Sequence, residues 1–252
     1  YWNEISQNEI DKKTSSNLRL KDYTPYPLKN NNITNEIIFY TPTKISSYRA
    51  STYLSKEKDT IEWIEKYGKD NQVFFDIGSN MGIYSIFFSK LFNSKVFSFE
   101  PSFRNLDLLV RNIEINKLND HITVIANPVY SYPSVKTFSQ STNRVAGMAL
   151  STFGKKNTSG FNFNTLGFSI DKLREENLIL KPNLVKIDVD GNELDVIEGA
   201  LQTIRNNSCK TLLIETREST SKNLEKLISK CGFKKDDTLN FKSQSNEIWT
   251  KF

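Results

Sequence analysis

Short apolar runs alternate along the chain with segments in which apolar residues recur every three or four positions. Unbroken apolar runs predict strands that are buried on both faces, and the three-to-four spacing predicts helices that pack along one side. Strands are predicted at 72–78, 95–100, 121–127, 183–188 and 210–216. Helices are predicted at 81–92, 102–117, 192–205 and 221–230. This alternation predicts an α/β fold with a mostly parallel sheet and helices on both faces.

Weaker patterns extend this alternation. Apolar residues at helical spacing predict a short helix between Thr60 and Gly68, where the glycine ends it. Residues 165–173 predict a strand that leads into another short helix. The tail, residues 232–252, predicts a closing pair of strands.

The first residues read differently from the rest. Residues 1–50 are polar and irregular and contain breaker-rich stretches such as YTPYPL, although residues 37–40 could form a strand. We expect residues 1–55 to form an N-terminal extension that packs on the main domain or on a second copy of the chain, giving a homodimer. Residues 56–252 then form the main domain.

One long connection lies between the third and fourth predicted strands. Residues 139–165 are rich in Ser, Thr, Asn and Gly and show little periodicity. A connection of this length is uncommon inside a compact domain, and is often a lid or a disordered loop. We expect a loop at about 133–168 that covers a substrate; a disordered surface loop is the alternative.

Composition narrows the class of protein. The chain has 252 residues, enough for one large α/β domain. No apolar stretch approaches the roughly 20 residues of a membrane-spanning helix, and the first residues lack the pattern of a signal peptide. The two cysteines, Cys209 and Cys231, are far apart and belong to no metal-binding motif. We therefore expect a cytoplasmic protein without a membrane span.

The net charge of +5 is spread along the chain. No dense basic block interleaves with aromatic residues, as it would in many nucleic-acid-binding proteins. The basic excess favours an anionic substrate over a nucleic acid.

The stretch DIGSNMG, residues 76–82, leaves a predicted strand and enters a predicted helix. Gly78 permits a sharp turn, and Gly82 permits close packing or a close approach by a ligand. The spacing differs from the dinucleotide fingerprint, and no P-loop motif exists in the chain. Asp76 would repel phosphates and would favour a cation, hydroxyls or an amino group. A plain strand–turn–helix joint is the alternative.

Polar residues follow each of the predicted strands. They are Asp76, Glu100, Asn127, Asp188 and Glu215. In parallel α/β sheets ligands bind at the carboxyl ends of the strands, near the point where strand order reverses. An acid at the end of the second strand, here Glu100, is where ribose hydroxyls are bound in such folds.

The stretch KIDVDGNELDVIEGA, residues 186–200, carries two alternating carboxylates, Asp188 and Asp190, before a turn at Gly191. Asn192 is placed to cap the following helix, as Ser102 is for an earlier helix. Paired carboxylates at a strand end serve proton abstraction, metal binding or cation recognition. A capping turn accounts for Asn192 and Gly191 but leaves Asp188 unexplained.

The order of DIGSNMG, FSFEP, KIDVDGNELDVIEGA and LLIET resembles the FkbM family of S-adenosylmethionine-dependent O-methyltransferases. The resemblance covers roughly residues 60–233. It implies a class I methyltransferase, Rossmann-like fold with a seven-stranded sheet.

The resemblance also implies roles for single residues. Asp76, Gly78, Asn80 and Gly82 would lie along the methionine moiety of the cofactor. Glu100 would bind the ribose hydroxyls, Asn127 would lie near the adenine, and Asp188 would lie beside the sulfonium. Carboxylates suit a cofactor with a sulfonium, an amino group and a ribose.

Methyl transfer to a hydroxyl also requires removal of a proton. The one histidine, His121, is the first residue of the third predicted strand, on the edge opposite the predicted site, so a carboxylate must serve as the base. The order of preference is Asp188, then Asp190, then Glu215. A divalent metal held by two of these acids is an alternative that we do not favour, because too few ligands can be named.

These observations predict an O-methyltransferase that acts on a hydroxyl of a sugar or glycan, such as a surface (capsule) polysaccharide or a nucleotide-linked precursor. The alternatives are a methyltransferase that acts on another small molecule and a non-catalytic nucleotide-binding module with the same fold.

Overall fold

The computed structural model of the chain describes residues 23–28, 36–56, 58–140, 145–239 and 246–251. Its strands are β1 (Tyr23–Pro27), β2 (Glu36–Tyr40), β3 (Val73–Ile77), β4 (Lys95–Phe99), β5 (Ile122–Ile125), β6 (Ser134–Gln140), β7 (Thr152–Phe153), β8 (Phe161–Gly167), β9 (Leu184–Ile187), β10 (Thr211–Glu215), β11 (Lys234–Lys235) and β12 (Asn246–Thr250). Its helices are α1 (Lys44–Thr52), α2 (Lys58–Tyr67), α3 (Ile83–Phe92), α4 (Phe103–Ile115), α5 (Ile170–Glu175), α6 (Glu193–Glu198), α7 (Leu201–Arg205) and α8 (Glu218–Lys230).

The central sheet of the described chain has seven strands in the order β11–β12–β10–β9–β3–β4–β5. The five predicted strands, β3, β4, β5, β9 and β10, pair in parallel, and β12 is antiparallel to both of its neighbours. The predicted closing pair is therefore confirmed as β11 and β12. The fold is the expected Rossmann-like α/β fold with a mixed seven-stranded sheet. Strand order reverses between β3 and β9, which leaves a crevice at their carboxyl ends.

The two faces of the sheet carry separate apolar cores. Phe74 points into a core shared with α2, α3 and α4, whereas Phe75 points into a core shared with α5 to α8. The same alternation holds for Leu184 and Val185 on β9. Each buried apolar side chain contributes about 1.5–3 kcal/mol to folding, so both faces must be covered. The prediction of helices on both faces is confirmed.

The N-terminal segment contains more regular structure than its composition predicts. The breaker-rich YTPYP stretch forms β1, which pairs antiparallel with the predicted strand β2. Its prolines are tolerated because β1 is an edge strand, where a missing N–H breaks no ladder. Helix α1 was not predicted; it begins with a capping box between Thr43 and Ser46. Residues 1–22 lie outside the described residues.

Side chains of α4 tie β2 to the main domain. The Asn116 carboxamide bonds both the N–H and the carbonyl of Ile38, and Asn112 Oδ1 accepts a hydrogen bond from the Tyr40 N–H at 2.6 Å. Asn112 lies in α4 and Asn116 directly follows its last residue, and their side chains bond β2 as a neighbouring strand would. This segment therefore packs on the main domain; a homodimer stays a prediction.

The segment predicted as a loop at about 133–168 folds instead as a second sheet, in the order β7–β6–β8. Phe138 pairs with Phe163 on one face, and Ser139 pairs with Asn162 on the other. The period of two is present but most of its positions are polar, so the composition hid it. The short helix predicted after it is confirmed as α5, and residues 141–144 lie outside the described residues.

In the part of the chain that the structure describes, no helix is both long enough and apolar enough to cross a membrane.

The buried Asn112 side chain provides a test of this packing. Its Oδ1 accepts from the Tyr40 N–H, and its Nδ2 donates to the Met81 carbonyl at 2.9 Å. Replacing Asn112 by Ala leaves both backbone groups without that partner, which should lower the free energy of unfolding by about 2–4 kcal/mol. Urea denaturation checks this value. Glu114→Ala, on the exposed side of the same helix, is the control and should change it by less than about 0.5 kcal/mol. Equal stabilities of the two variants would contradict the prediction.

Candidate active site

A cavity of about 240 Å³ opens at the carboxyl ends of β3, β4, β5, β9 and β10. Most of the residues predicted from the sequence line it. They are Gly78, Asn80, Glu100, Asn127, Asp188, Asp190 and Glu215. Asp76 and Gly82 do not line it. The crevice predicted from strand order therefore brings together residues that are as much as 137 positions apart, from Gly78 to Glu215.

The two glycines of the DIGSNMG stretch serve different purposes. Gly78 has a φ of +83°, and a Cβ there would overlap the carbonyl oxygen of Asp188. It therefore lets the ends of β3 and β9 approach at the floor of the cavity. Gly82 also has a φ of +83°, but a Cβ there would meet the Leu109 side chain of α4. Because Gly82 has no side chain, the start of α3 can pack closely against α4.

Asp76 lies behind the cavity wall and is fully buried. Its Oδ2 accepts a hydrogen bond from the Ser85 hydroxyl at 2.6 Å, and its Oδ1 lies 3.8 Å from Lys186 Nζ. Burial raises its pKa above the ordinary value, although Lys186 and Ser85 oppose this shift. Asp76 therefore belongs to a buried group of charged and polar side chains. The predicted contact of Asp76 with a ligand stays a prediction.

Glu100 is buried at the end of β4 and faces the cavity. Its two carboxylate oxygens accept hydrogen bonds of 2.8 Å from the backbone N–H groups of Asn80 and Ser102. Burial raises the pKa of Glu100 to about 7, even though those N–H groups favour the ionised form. Additional hydroxyl donors would stabilise the carboxylate further. Ser102, predicted as a side-chain cap, makes no capping bond; its hydroxyl instead accepts a hydrogen bond from Gln140.

Two amides stand beside Glu100 in the cavity wall. Asn80 takes a φ of 51° and donates its Nδ2 to the Met148 carbonyl at 3.2 Å, while its buried Oδ1 has no hydrogen-bond partner. Asn127 donates its Nδ2 to the Leu166 carbonyl at 2.9 Å. The Asn80 acceptor fits a ligand that brings a donor, such as an amino group or a hydroxyl.

Asp188, Glu215 and Lys186 form a charged group at the ends of β9 and β10. Lys186 Nζ lies 3.1 Å from Asp188 Oδ2, and its side chain is only 2% exposed. Burial favours the neutral form of Asp188, but the charge of Lys186 and hydrogen bonds from Glu215 and Lys186 lower its pKa below the ordinary value. Burial, followed by the charge of Asp188, raises the pKa of Glu215 to about 7. Asp188 is therefore the anion of the pair, and Glu215 holds the proton below neutral pH.

Asp190 and Asn192 fasten a neighbouring segment across the cavity. Asp190 Oδ2 accepts hydrogen bonds from the Leu150 and Ser151 N–H groups, at 2.6 and 3.3 Å. Burial and then the charge of Asp188 raise its pKa. Asn192 bonds both the N–H and the carbonyl of Phe153, at 3.2 and 3.1 Å. The prediction that the Asn192 side chain caps α6 is therefore wrong, because its carboxamide forms hydrogen bonds with Phe153 of β7 instead.

Sequence reasoning missed several residues of the site. Arg49 and Lys56, from the N-terminal segment, line the cavity, and Arg49 Nε donates to the Gly147 carbonyl at 2.7 Å. Asn105 holds the same segment, because its Oδ1 accepts from the Gly147 N–H and its Nδ2 donates to the Met148 carbonyl. The Thr-x-x-Ser box could have indicated α1, but no local signal points from these residues to the cavity.

His121 precedes β5, at the amino end of the sheet, and does not line the cavity. Among the residues that the structure describes, no three or more His, Cys, Asp or Glu side chains are grouped so that they could hold a metal ion.

The family model described as "Methyltransferase FkbM domain" matches residues 76–235. The chain belongs to this family. The match spans the β3 turn, Glu100, the Asp188 group and Glu215, which are the residues gathered around the cavity. The resemblance stated from the motifs is confirmed.

Three individual proteins to which the chain is similar share 14–28% of its residues in the aligned regions. The chain is similar to the hexuronic acid methyltransferase AglP of Haloferax volcanii, with 28% identity over 177 residues, 70% of this chain and 69% of that protein. Among solved structures, it is similar to the FkbM methyltransferase of Methylobacillus flagellatus, with a TM-score of 0.49 and 14% identity over 79% of this chain. The alignment spans about half of that protein, 52% of its chain. It is also similar to the ribosomal protein L11 methylase of Lactobacillus delbrueckii, with a TM-score of 0.48, 14% identity and 77% of each chain covered.

The close approach at Gly78 can be tested by adding one methyl group. Gly78→Ala and Gly232→Ala both place a Cβ on a left-handed residue, which costs about 1–2 kcal/mol. At Gly232 the nearest atom lies 3.5 Å away, whereas at Gly78 the Cβ overlaps the Asp188 carbonyl. Overpacking should add about 1–3 kcal/mol at Gly78. Urea denaturation of the two variants measures the difference, and equal losses would argue against a close contact between the ends of β3 and β9.

Proposed function

We propose that this protein is an S-adenosylmethionine-dependent O-methyltransferase that acts on a hydroxyl of a sugar or glycan. The observation that carries the proposal is the cavity at the reversal point of the sheet, in a chain of the FkbM family, with Glu100 and the Asp188–Glu215 pair facing it. Carboxylates suit a ligand with a positive charge and hydroxyl groups, and they oppose a pyrophosphate.

The residues present fit this cofactor on independent grounds. The Asn80 Oδ1 is a buried acceptor without a partner, which suits an amino group or a hydroxyl, and the buried Glu100 carboxylate lines the same cavity. Gly78, Asn80, Glu100, Asn127 and Asp188 would hold the cofactor, with Glu100 at the ribose hydroxyls. The cofactor, when bound, would supply a methyl group activated by its sulfonium.

Asp188 is our first choice for the group that handles the acceptor proton. Lys186 keeps Asp188 ionised, so it can accept a hydrogen bond from the acceptor hydroxyl and take its proton. A carboxylate with a lowered pKa is a weak base, so positioning of the hydroxyl supplies much of the rate enhancement. Glu215 is a less suitable base than Asp188, because it cannot accept a proton while it is protonated itself. Asp190 is already engaged by two backbone N–H groups. No divalent metal enters this proposal.

A sugar acceptor is supported by the family and by the similarity to a hexuronic acid methyltransferase. The sheet of β6, β7 and β8 adjoins the cavity through Phe138 and Phe153, and we propose that it covers the acceptor. Both cysteines are buried and unpaired, which favours a reducing cytoplasm. Nucleic acid is not among the proposed partners.

Calorimetric titration tests the cofactor, with NAD as the control ligand. We expect micromolar binding of S-adenosylmethionine and none of NAD. Since Glu100 has a pKa of about 7 and must be ionised to accept two hydroxyls, affinity should fall below pH 7 by up to about tenfold per unit. Glu100→Gln should weaken binding and remove this dependence. Binding of NAD alone would favour the nucleotide-binding module and reject the proposal.

Asp188→Asn tests the reaction. Turnover, followed as release of S-adenosylhomocysteine in the presence of a hexuronate glycoside, should fall by about 100-fold or more, because the hydroxyl loses its ionised partner. Asp70→Asn removes an exposed carboxylate at the opposite edge of the sheet and should leave turnover unchanged. Full activity of Asp188→Asn would exclude Asp188 as the base.

A further inference from the structure

A second, smaller compartment of about 30 Å³ adjoins the main cavity. The two share lining residues at their junction, which are Arg49, Lys56, Gly78, Asn80 and Asp188. A volume of roughly 10–15 Å³ by this measure already admits one water molecule, so the compartment has room for a group of a few heavy atoms. It is too small for a sugar ring.

Two cations from the N-terminal segment stand at this junction. Neither Arg49 nor Lys56 forms an ion pair with a carboxylate among the described residues. Arg49 uses its Nε to hold the Gly147 carbonyl, and its charge also acts on Asp188. Lys56 is exposed, with its Nζ 5.7 Å from the centre of the Tyr48 ring. Both positive charges are therefore available to an anion in the compartment.

The same compartment is also lined by hydrogen-bond donors. Ser79 lines the compartment and is 5% exposed, and its buried hydroxyl has no hydrogen-bond partner. Met81 and Ile83 line it as well, at the point where the ten-residue helix α3 begins. The first N–H groups of a helix have no acceptor within the helix, and its amino end carries a partial positive charge. A buried hydroxyl without a partner indicates a ligand group that the chain itself does not provide.

The two positive charges favour an anion here. A sulfonium held beside Asp188 would be repelled by Arg49 and Lys56 unless a negative group neutralised them. We propose that Arg49, Lys56, the Ser79 hydroxyl and the first turn of α3 form a carboxylate-binding subsite. This inference rests on the proposed function, and it makes α1 of the N-terminal segment part of the active site.

Two molecules of the proposed reaction could bring this carboxylate. The amino-acid end of the cofactor carries one, and an acidic sugar acceptor carries another. In both cases charge-assisted hydrogen bonds to Arg49 and Lys56 would hold it. The experiment below separates the two sources.

The first arm measures binding by calorimetry, without turnover. S-adenosylhomocysteine carries the amino-acid carboxylate, and methylthioadenosine lacks the amino-acid end. The double variant Arg49→Met/Lys56→Met should bind S-adenosylhomocysteine about tenfold or more weakly, with unchanged affinity for methylthioadenosine. Lys44→Met, which removes an exposed charge at the start of α1, is the matched control and should behave as the wild type.

Arg49 also holds the Gly147 carbonyl, so its replacement can disturb the fold as well as remove a charge. The single variant Lys56→Met removes a charge without removing this hydrogen bond. It should lose part of the affinity for S-adenosylhomocysteine while its urea midpoint stays at the wild-type value. Arg49→Lys should restore part of the affinity that Arg49→Met loses.

The second arm titrates methyl glucuronide and methyl glucoside into the complex with S-adenosylhomocysteine. If the carboxylate comes from the acceptor, the wild type prefers the glucuronide and the double variant loses this preference, while its affinity for S-adenosylhomocysteine is unchanged. Unchanged affinities for S-adenosylhomocysteine and for both glycosides in the double variant would overturn the subsite. A wild-type protein that does not bind S-adenosylhomocysteine would overturn the proposed function, and the subsite with it.

Discussion

A single buried lysine organises the ends of the central strands. Lys186 lies between Asp76 of β3 and Asp188 after β9, and Asp76 is its direct register partner. A buried ammonium group costs several kcal/mol unless acceptors surround it. A slip of β9 by one residue would turn Lys186 to the apolar face packed by α5 to α8 and away from Asp76. The register of β9 against β3 is therefore strongly specified, and with it the contact between Gly78 and Asp188.

The same group sets the electrostatics of the cavity. Lys186 stabilises the negative charge of Asp188, and burial together with that charge raises the pKa of Glu215 to about 7. In the proposed reaction, the acceptor hydroxyl would meet one anion and one neutral acid at the Asp188–Glu215 pair, instead of two anions. The arrangement depends on a residue that makes no contact with the main cavity, since Lys186 lines only the smaller compartment.

The sheet and most of its ligand-facing acids could be predicted from the sequence, because both follow from local rules. Buried parallel strands are continuous apolar runs, and the residues after them share one edge, as Glu100 and Glu215 do. Lys186 could not be recognised, since its function depends on a partner 110 residues away. Asn192 reads as a cap locally, but its amide bonds β7. Alternation in β6 and β8 was hidden because polar residues occupy both faces.

Residues 146–153 are held across the cavity by hydrogen bonds to their main chain and by the buried side chain of Phe153. Thr43, Arg49 and Asn105 bond carbonyl or N–H groups at 146–148, and Asp190 and Asn192 bond those at 150–153. These hydrogen bonds use no side chain of the segment itself, and Leu150 is 62% exposed. Substitutions there can alter the shape and polarity of the cavity wall while the fastening persists. In the proposed enzyme, a change of side chain in this segment would alter the preference for the acceptor without displacing the proposed catalytic residues.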